Sequence, residues 1–294
     1  MYKFLKGSLV VLMITFVTLI AMLTITVYGK GMDMTAENRP TVVGEEMYEE
    51  FIQITEPIEI EEVLFVEENE ALSEITFSGE FIHEDGLLTF LLFTPSSAEY
   101  EKDIPVVFWL HGSGECGASE KTYRSKFIPK MLDNWEFDGF NAYVVCPILT
   151  SGGSWNCERD ANRTMEIINY MKENYSIDEN NISITGASLG GLGTQYMVAK
   201  MPDVFSRAVV LSGYPCNADI KDITVPIIGF VGHPNYGEDS GSYSYMTNRF
   251  KKEFGEAQTI VMNSSHGNLP YDVFNLDENN DNKSDIFMWL IGES

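Results

Sequence analysis

The chain has 294 residues, 44% of them hydrophobic, which is enough to bury the core of one large domain. Its 19 basic residues face 44 acidic ones, a formal net charge of −25. A surface this acidic repels phosphate backbones and gains no counterion release from them, so nucleic acid is excluded as a partner.

Lys3 and Lys6 precede an uncharged, apolar run from Gly7 to Gly29. As a helix, Ser8 to Tyr28 would extend about 31 Å, enough to cross a bilayer. Val27 and Gly29 are also small enough for the −3 and −1 positions of a signal-peptide cleavage site. The segment therefore reads as an uncleaved membrane anchor or a cleaved signal. Either way the positive-inside rule keeps Lys3 and Lys6 in the cytoplasm and puts the rest of the chain outside it. Between Glu37 and Glu80 stand fourteen Glu and a single basic residue, Arg39. Residues 31–73 accordingly read as an acidic linker or N-terminal extension. The four cysteines, Cys116, Cys146, Cys157 and Cys216, allow up to two disulfides in three connectivities, or buried free thiols.

From residue 74 the pattern becomes that of a folded domain. "EITFSGEFI" and "LLTFLLFTP" flank "HEDG", whose Asp85-Gly86 pair marks a hairpin. Six short apolar runs follow: "IPVVFWLHG", "FNAYVVCP", "NISITG", "RAVVLSG", "VPIIGFVG" and "AQTIVMN". Strands buried on both faces look like this. Helix-like segments at Glu158 to Tyr175, Leu189 to Lys200 and Ser242 to Phe254 alternate with them. The pattern predicts an α/β domain over 74–294: a mainly parallel sheet with helices on both faces, preceded by an antiparallel hairpin.

In such sheets chemistry gathers at the carboxyl ends of the strands. "NISITG" runs into Gly186-Ala187-Ser188-Leu189-Gly190, a G-x-S-x-G turn between strand and helix that would lift the Ser188 hydroxyl clear of the sheet. "IPVVFWL" ends in His111-Gly112-Ser113-Gly114-Glu115, a loop able to aim backbone N–H groups at an oxyanion. The expected donors are the amides of Ser113 and Leu189, with His111 shaping the loop. Of the other histidines, His83 falls in the hairpin turn and His233 in the loop that should supply the acid. His266, directly after the last apolar run, is the expected base. For the acid, Glu238 and Asp239 compete within "HPNYGEDSGSY", and Asp239 is the expected partner of His266. Trp155 and Tyr214 follow strands at the same end; each is a candidate for lining the substrate cleft or for ordinary loop packing.

With these residues in view, the chain from about Glu74 onward resembles the α/β-hydrolase superfamily. Within it the similarity is to secreted esterases and peptidases related to feruloyl esterases and polyhydroxybutyrate depolymerases. The resemblance rests on "PVVFWLHGSGE", on Gly153 to Trp155 after "VVCP", on "YSIDENNISITGASLGGLGTQYMVAKMPDVFSRAVVLSG", and on His266. It implies the α/β-hydrolase fold, Ser188 as nucleophile and His266 as base. The expected activity is hydrolysis of a small or polymer-linked carboxylic ester through an acyl-enzyme. A serine peptidase would use the same residues, and a non-catalytic surface protein would keep the fold alone. No cofactor is required and no metal is expected. "DENNDNKSD" imitates a calcium loop, but has Asn282 where glycine is needed and Met288 where a bidentate carboxylate is needed. It reads as a polar loop with Ser284 capping the last helix.

Overall fold

The computed structural model describes residues 75–293. The N-terminal apolar run and the acidic stretch 31–73 lie outside the described residues. Among the described residues no helix is long and apolar enough to cross a membrane.

Strands β1 (Phe77–Ile82) and β2 (Phe90–Pro95) form the expected antiparallel pair, with Phe77 opposite Pro95 and Ile82 opposite Phe90. Six further strands follow: β3 (Ile104–Leu110), β4 (Tyr143–Pro147), β5 (Ile177–Ala187), β6 (Arg207–Leu211), β7 (Ile227–Gly232) and β8 (Thr259–Met262). The sheet order is β1-β2-β4-β3-β5-β6-β7-β8. All pairings from β4 to β8 are parallel, and β2 joins β4 antiparallel. The order reverses direction at β3, so the crevice for a ligand is expected above the ends of β3 and β5.

The continuous apolar runs follow from coverage on both faces. Successive strand residues alternate between two separate cores. Phe90, Phe108, Leu110, Ile184 and Val210 belong to one core, and Leu91, Val107, Trp109, Val209 and Leu211 to the other. The first core is closed by α3 (Glu158–Asn174), through Ile167, Ile168 and Met171, and by α4 (Leu189–Lys200), through Met197 and Val198. The second is closed by α1 (Glu120–Arg124) and α2 (Phe127–Asp133), through Tyr123, Ile128 and Leu132, and by α7 (Leu269–Phe274) and α8 (Asp285–Leu290). Ser284 caps α8 by accepting the Phe287 N–H. Between β7 and β8 the chain runs through α5 (Ser240–Tyr245), a π-helical turn (Met246–Phe250) and α6 (Lys251–Phe254).

α4 is set unusually close to the sheet. A Cβ on Gly190 would lie 1.8 Å from the carbonyl oxygen of Leu110 at the end of β3, where both partners are backbone and cannot yield. Glycine here lets the helix start directly against β3. Gly190→Ala is therefore expected to cost about 3 kcal/mol through overpacking. That corresponds to a fall in Tm of roughly 6–12 °C for a domain of this size, measurable by thermal unfolding.

Candidate active site

Ser188 sits between β5 and α4 with φ 56° and ψ −112°, a left-handed conformation that a non-glycine residue adopts only when its surroundings impose it. The imposition is visible on both sides. Its N–H donates to the Leu211 carbonyl at the end of β6 (2.9 Å), and its own carbonyl accepts from Leu192 inside α4 (3.0 Å). The turn lies at the carboxyl ends of the strands.

The loop after β3 lies against this serine. A Cβ on Gly112 would stand 3.7 Å from the Ser188 Cβ and 3.2 Å from Oε2 of Glu115, which folds back under the loop. Leu189 is the first residue of α4 and Ser113 the first of a short 3-10 turn, Ser113–Glu115. Both N–H groups therefore belong to those a helix start leaves without an intrahelical acceptor.

His111 is wholly buried behind this loop. The Leu149 N–H donates to Nε2 (3.0 Å), so the ring proton is on Nδ1, which donates to the Gly112 carbonyl (2.6 Å). Burial lowers its pKa to about 4, against a smaller upward contribution from the Gly112 hydrogen bond, and the ring stays neutral. His111 thus shapes the loop, as its position suggested. Trp155 departs from the cleft expectation. Its indole is fully buried, donates Nε1–H to the His111 carbonyl (3.0 Å), and occupies a notch that exists because residue 193 is glycine: a Cβ there would come within 2.1 Å of the Trp155 Cβ. Trp155 braces the loop from inside the core. The segment leading to it is fixed by Asp160, whose buried carboxylate accepts from the Ser154 N–H (3.0 Å) and from Arg159 (3.0 and 2.7 Å). Burial pushes this carboxyl up, but the Arg159 and Ser154 hydrogen bonds prevail and hold it below its ordinary value.

His266 lies in the loop after β8. Its Nδ1 is 2.5 Å from Oε1 of Glu238, not paired with Asp239. The expected acid is therefore corrected by one residue. Asp239 is the N-cap of α5: its Oδ1 accepts from the N–H groups of Gly241 (2.9 Å) and Ser242 (3.1 Å), which directs the carboxylate along the helix start. Glu238 points into the protein instead. Its Oε2 accepts from the Ser212 hydroxyl (2.6 Å) and the Gly232 N–H (3.0 Å), and its Oε1 also accepts from the Asp239 N–H (2.9 Å). Burial raises the Glu238 carboxyl, but the His266 and Ser212 hydrogen bonds outweigh it, so the group stays below the usual carboxylate value. His266 is raised above 6.5, first by the Glu238 hydrogen bond, with burial opposing and the charges of Glu238 and Asp239 adding.

Ser212 directly follows Leu211, the residue that holds the Ser188 amide, so the serine turn and the Glu238–His266 pair meet at the end of β6. Sequence reading passed over Ser212; its signal was a serine placed directly after a strand at the active end. Tyr214 lies beside the Glu238–His266 pair. Half-buried, it sits with its ring 6.4 Å from the His266 ring, and burial and, after it, the Asp239 carboxylate beside it raise its pKa. Behind it, Gln195 bonds the Tyr214 carbonyl (3.2 Å) and receives the Tyr245 hydroxyl (2.6 Å). The four cysteines are unpaired, and Cys146 is fully buried. Among the described residues no cluster of His, Cys, Asp and Glu is arranged to hold a metal ion. In the 277–285 loop, the Asp277 carboxylate is occupied by the N–H groups of Asp281 and Asn282.

The chain also resembles known proteins. Residues 86–248, more than half of the chain, match the model of the Esterase family, described as "Putative esterase". Poly(3-hydroxyalkanoate) depolymerase C of Paucimonas lemoignei is 30% identical over 124 residues, 38% of this chain and 28% of that protein. Feruloyl esterase B of Talaromyces funiculosus is 28% identical over 80 residues, 27% of this chain and 21% of that protein. The matches thus span less than a third of the length of these relatives. Among solved structures, fluorophosphonate-binding serine hydrolase F of Staphylococcus aureus superposes with a TM-score of 0.52 at 13% identity, covering 74% of this chain and 99% of that one. The S-formylglutathione hydrolase of Staphylococcus aureus superposes with a TM-score of 0.50 at 12% identity, covering 74% and 96%. The fold is that of the α/β-hydrolases.

The two carboxylates predict different titrations. In wild-type protein the His266 imidazole should titrate above 6.5 when followed by NMR. Glu238→Gln should bring that pKa down markedly. Asp239→Asn, which keeps a capping side chain, should lower it only slightly.

Proposed function

Because the chain belongs to the Esterase family, we propose that it is a carboxylic ester hydrolase working through an acyl-enzyme on Ser188. The observation that carries this reading is the Glu238–His266 pair, buried on its acid side and joined through Ser212 to the strand end that holds the strained Ser188 turn.

In the proposed reaction, His266 takes the Ser188 proton at Nε2 as the hydroxyl attacks the ester carbonyl. The Nδ1–H stays on Glu238, which fixes the tautomer and stabilises the imidazolium. The amides of Ser113 and Leu189 receive the negative oxygen; donors of this type are typically worth about 3–4 kcal/mol each in the transition state. Collapse of the tetrahedral intermediate breaks the bond to the alkoxide, which leaves with the proton from His266. Water, deprotonated by the same imidazole, then releases the acid and restores the serine. The strain at Ser188 and the buried brace of His111 and Trp155 support this assignment, because both hold the reacting groups still before substrate arrives. Tyr214 would form part of the cleft wall beside His266.

The substrate is proposed to be a small or polymer-linked ester, in keeping with the polyester depolymerase and the feruloyl esterase among the relatives. The work would be done outside the cytoplasm, with the chain delivered by the apolar segment after Lys3 and Lys6.

A fluorophosphonate probe should label the wild-type protein and leave Ser188→Ala unlabelled; an unlabelled wild type would overturn the reading. Glu238→Gln should reduce kcat/KM on 4-nitrophenyl butyrate by about 10³–10⁴-fold, by analogy with loss of the acid from other serine triads, whereas Asp239→Asn should stay within about tenfold of wild type, since losing its charge only modestly alters the His266 pKa. Since His266 must be neutral to accept the proton, kcat/KM should fall as pH drops through its raised pKa, with the acidic limb above 6.5. The limb should shift to lower pH in Glu238→Gln.

A further inference from the structure

Next to the Gly112–Ser113 loop the structure contains a cavity of about 630 Å³ whose charge is opposite to that of the chain. One wall begins at Gly117, directly after the loop, and another is formed by Leu149 after β4. These walls and the loop form one hydrogen-bonded unit. The Gly117 N–H donates to the Leu149 carbonyl (2.8 Å), and the Leu149 N–H donates to His111. Gly117 has φ +71°, and a Cβ there would press on Ser151 at 3.1 Å, so this wall is set by the backbone. Gly117 is the fourth residue after Ser113, so the cavity wall it begins lies at most about 14 Å along the backbone from the proposed oxyanion donor.

In a chain with 44 acidic residues and 19 basic ones, this cavity is lined by Lys121, Arg163 and His83 and by a single carboxylate, Glu120. Glu120 is already taken, because its Oε1 lies 2.9 Å from Nε2 of His83. Arg163 is close to Asp160, but at 3.6 Å, beyond hydrogen-bond range; the Asp160 oxygens are filled by Arg159 and by the Ser154 amide. Among the described residues Lys121 makes no ion pair. Lys121 thus faces the cavity without an anion of its own, and Arg163 shares Asp160, its only ion-pair partner among the described residues, with Arg159, whose two hydrogen bonds leave Arg163 at ion-pair distance only.

We infer that this cavity is a subsite for a carboxylate carried by the ester substrate at its end remote from the scissile bond, received by Arg163 and Lys121. The inference rests on the esterase reading and narrows it to esters that carry an anion at the far end of a long chain. A guanidinium offers the paired donors that a carboxylate accepts, and the ammonium adds a point charge.

The test uses two matched pairs of substrates. In the first, the mono-4-nitrophenyl ester of a long dicarboxylic acid, sebacic acid, is compared with the same molecule capped as its methyl ester. In the second, the butyrate ester of a long ω-hydroxy acid is compared with its methyl-capped form, so that both sides of the scissile bond are probed. In one of the pairs the carboxylate member should be preferred in kcat/KM by about tenfold or more, as expected for a charge-assisted hydrogen bond. The preference should shrink as salt is raised. It should vanish in the Arg163→Gln/Lys121→Gln double variant, with Lys121→Gln alone giving a partial loss, while the neutral members are hydrolysed at unchanged rates, which also shows the variants folded. Hydrolysis of both neutral members with no preference for either carboxylate would overturn the subsite and leave the esterase reading intact. A preference that survives the double variant would overturn it equally. Failure to hydrolyse any member, with no fluorophosphonate labelling, would overturn the esterase reading and the subsite with it.

Discussion

The arrangement of the site depends on one buried charge. Glu238 is removed from water beneath the loop that carries it, and an unpaired carboxylate there would cost several kcal/mol. It is kept ionised by four donors: the imidazole of His266, the hydroxyl of Ser212, and the amides of Gly232 and Asp239. Each donor comes from a different part of the sheet end. Ser212 follows β6, Gly232 ends β7, Asp239 opens α5, and His266 follows β8. Satisfying one carboxylate therefore ties together three consecutive strand ends. Gly232 shows how tightly they are tied: a Cβ there would lie 2.7 Å from Oε2 of Glu238 and 2.3 Å from the Ser264 carbonyl. The same network that stabilises the charge also sets the position and tautomer of the imidazole.

The other half of the site has its own support, built from backbone hydrogen bonds and two buried rings. Ser188 is held in its strained conformation by the Leu211 carbonyl at its N–H and the Leu192 amide at its carbonyl. The Gly112–Ser113 loop is held by His111, and His111 by Leu149 and Trp155. His111 and Trp155 have no exposed surface, so this loop is anchored from the core. Two histidines thus play opposite parts in one site. Burial without a carboxylate keeps His111 neutral and fixed, whereas a buried carboxylate at its Nδ1 raises the proton affinity of His266.

Much of this was legible in the chain. The hairpin, the six apolar runs, the three longer helix-like segments and the Ser188 turn all come from local patterns: alternation, continuous apolarity and glycine spacing. Those patterns appear in the structure as β1 to β8, α3, α4 and the run from α5 to α6. The glycine that lets α4 start against Leu110, a residue brought there by the fold, shows in the sequence as the last position of G-x-S-x-G. Trp155 and the acid were not legible in the same way. Trp155 follows a strand at the active end, and only packing against Gly193 reveals that the ring turns inward.

Glu238 and Asp239 make the division clearest. The sequence by itself determined that a carboxylate would stand in the loop after β7, and that His266 would follow β8, because strand order and apolar runs are written residue by residue. Which of two adjacent carboxylates meets the histidine depended on where α5 begins. Since that helix starts at Ser240, Asp239 is drawn to its free N–H groups, and Glu238, one residue earlier and one methylene longer, turns inward to Ser212, Gly232 and His266. Those partners lie 26, 6 and 28 residues away along the chain. Only the folded sheet, by bringing three strand ends to one point, could choose between the two side chains.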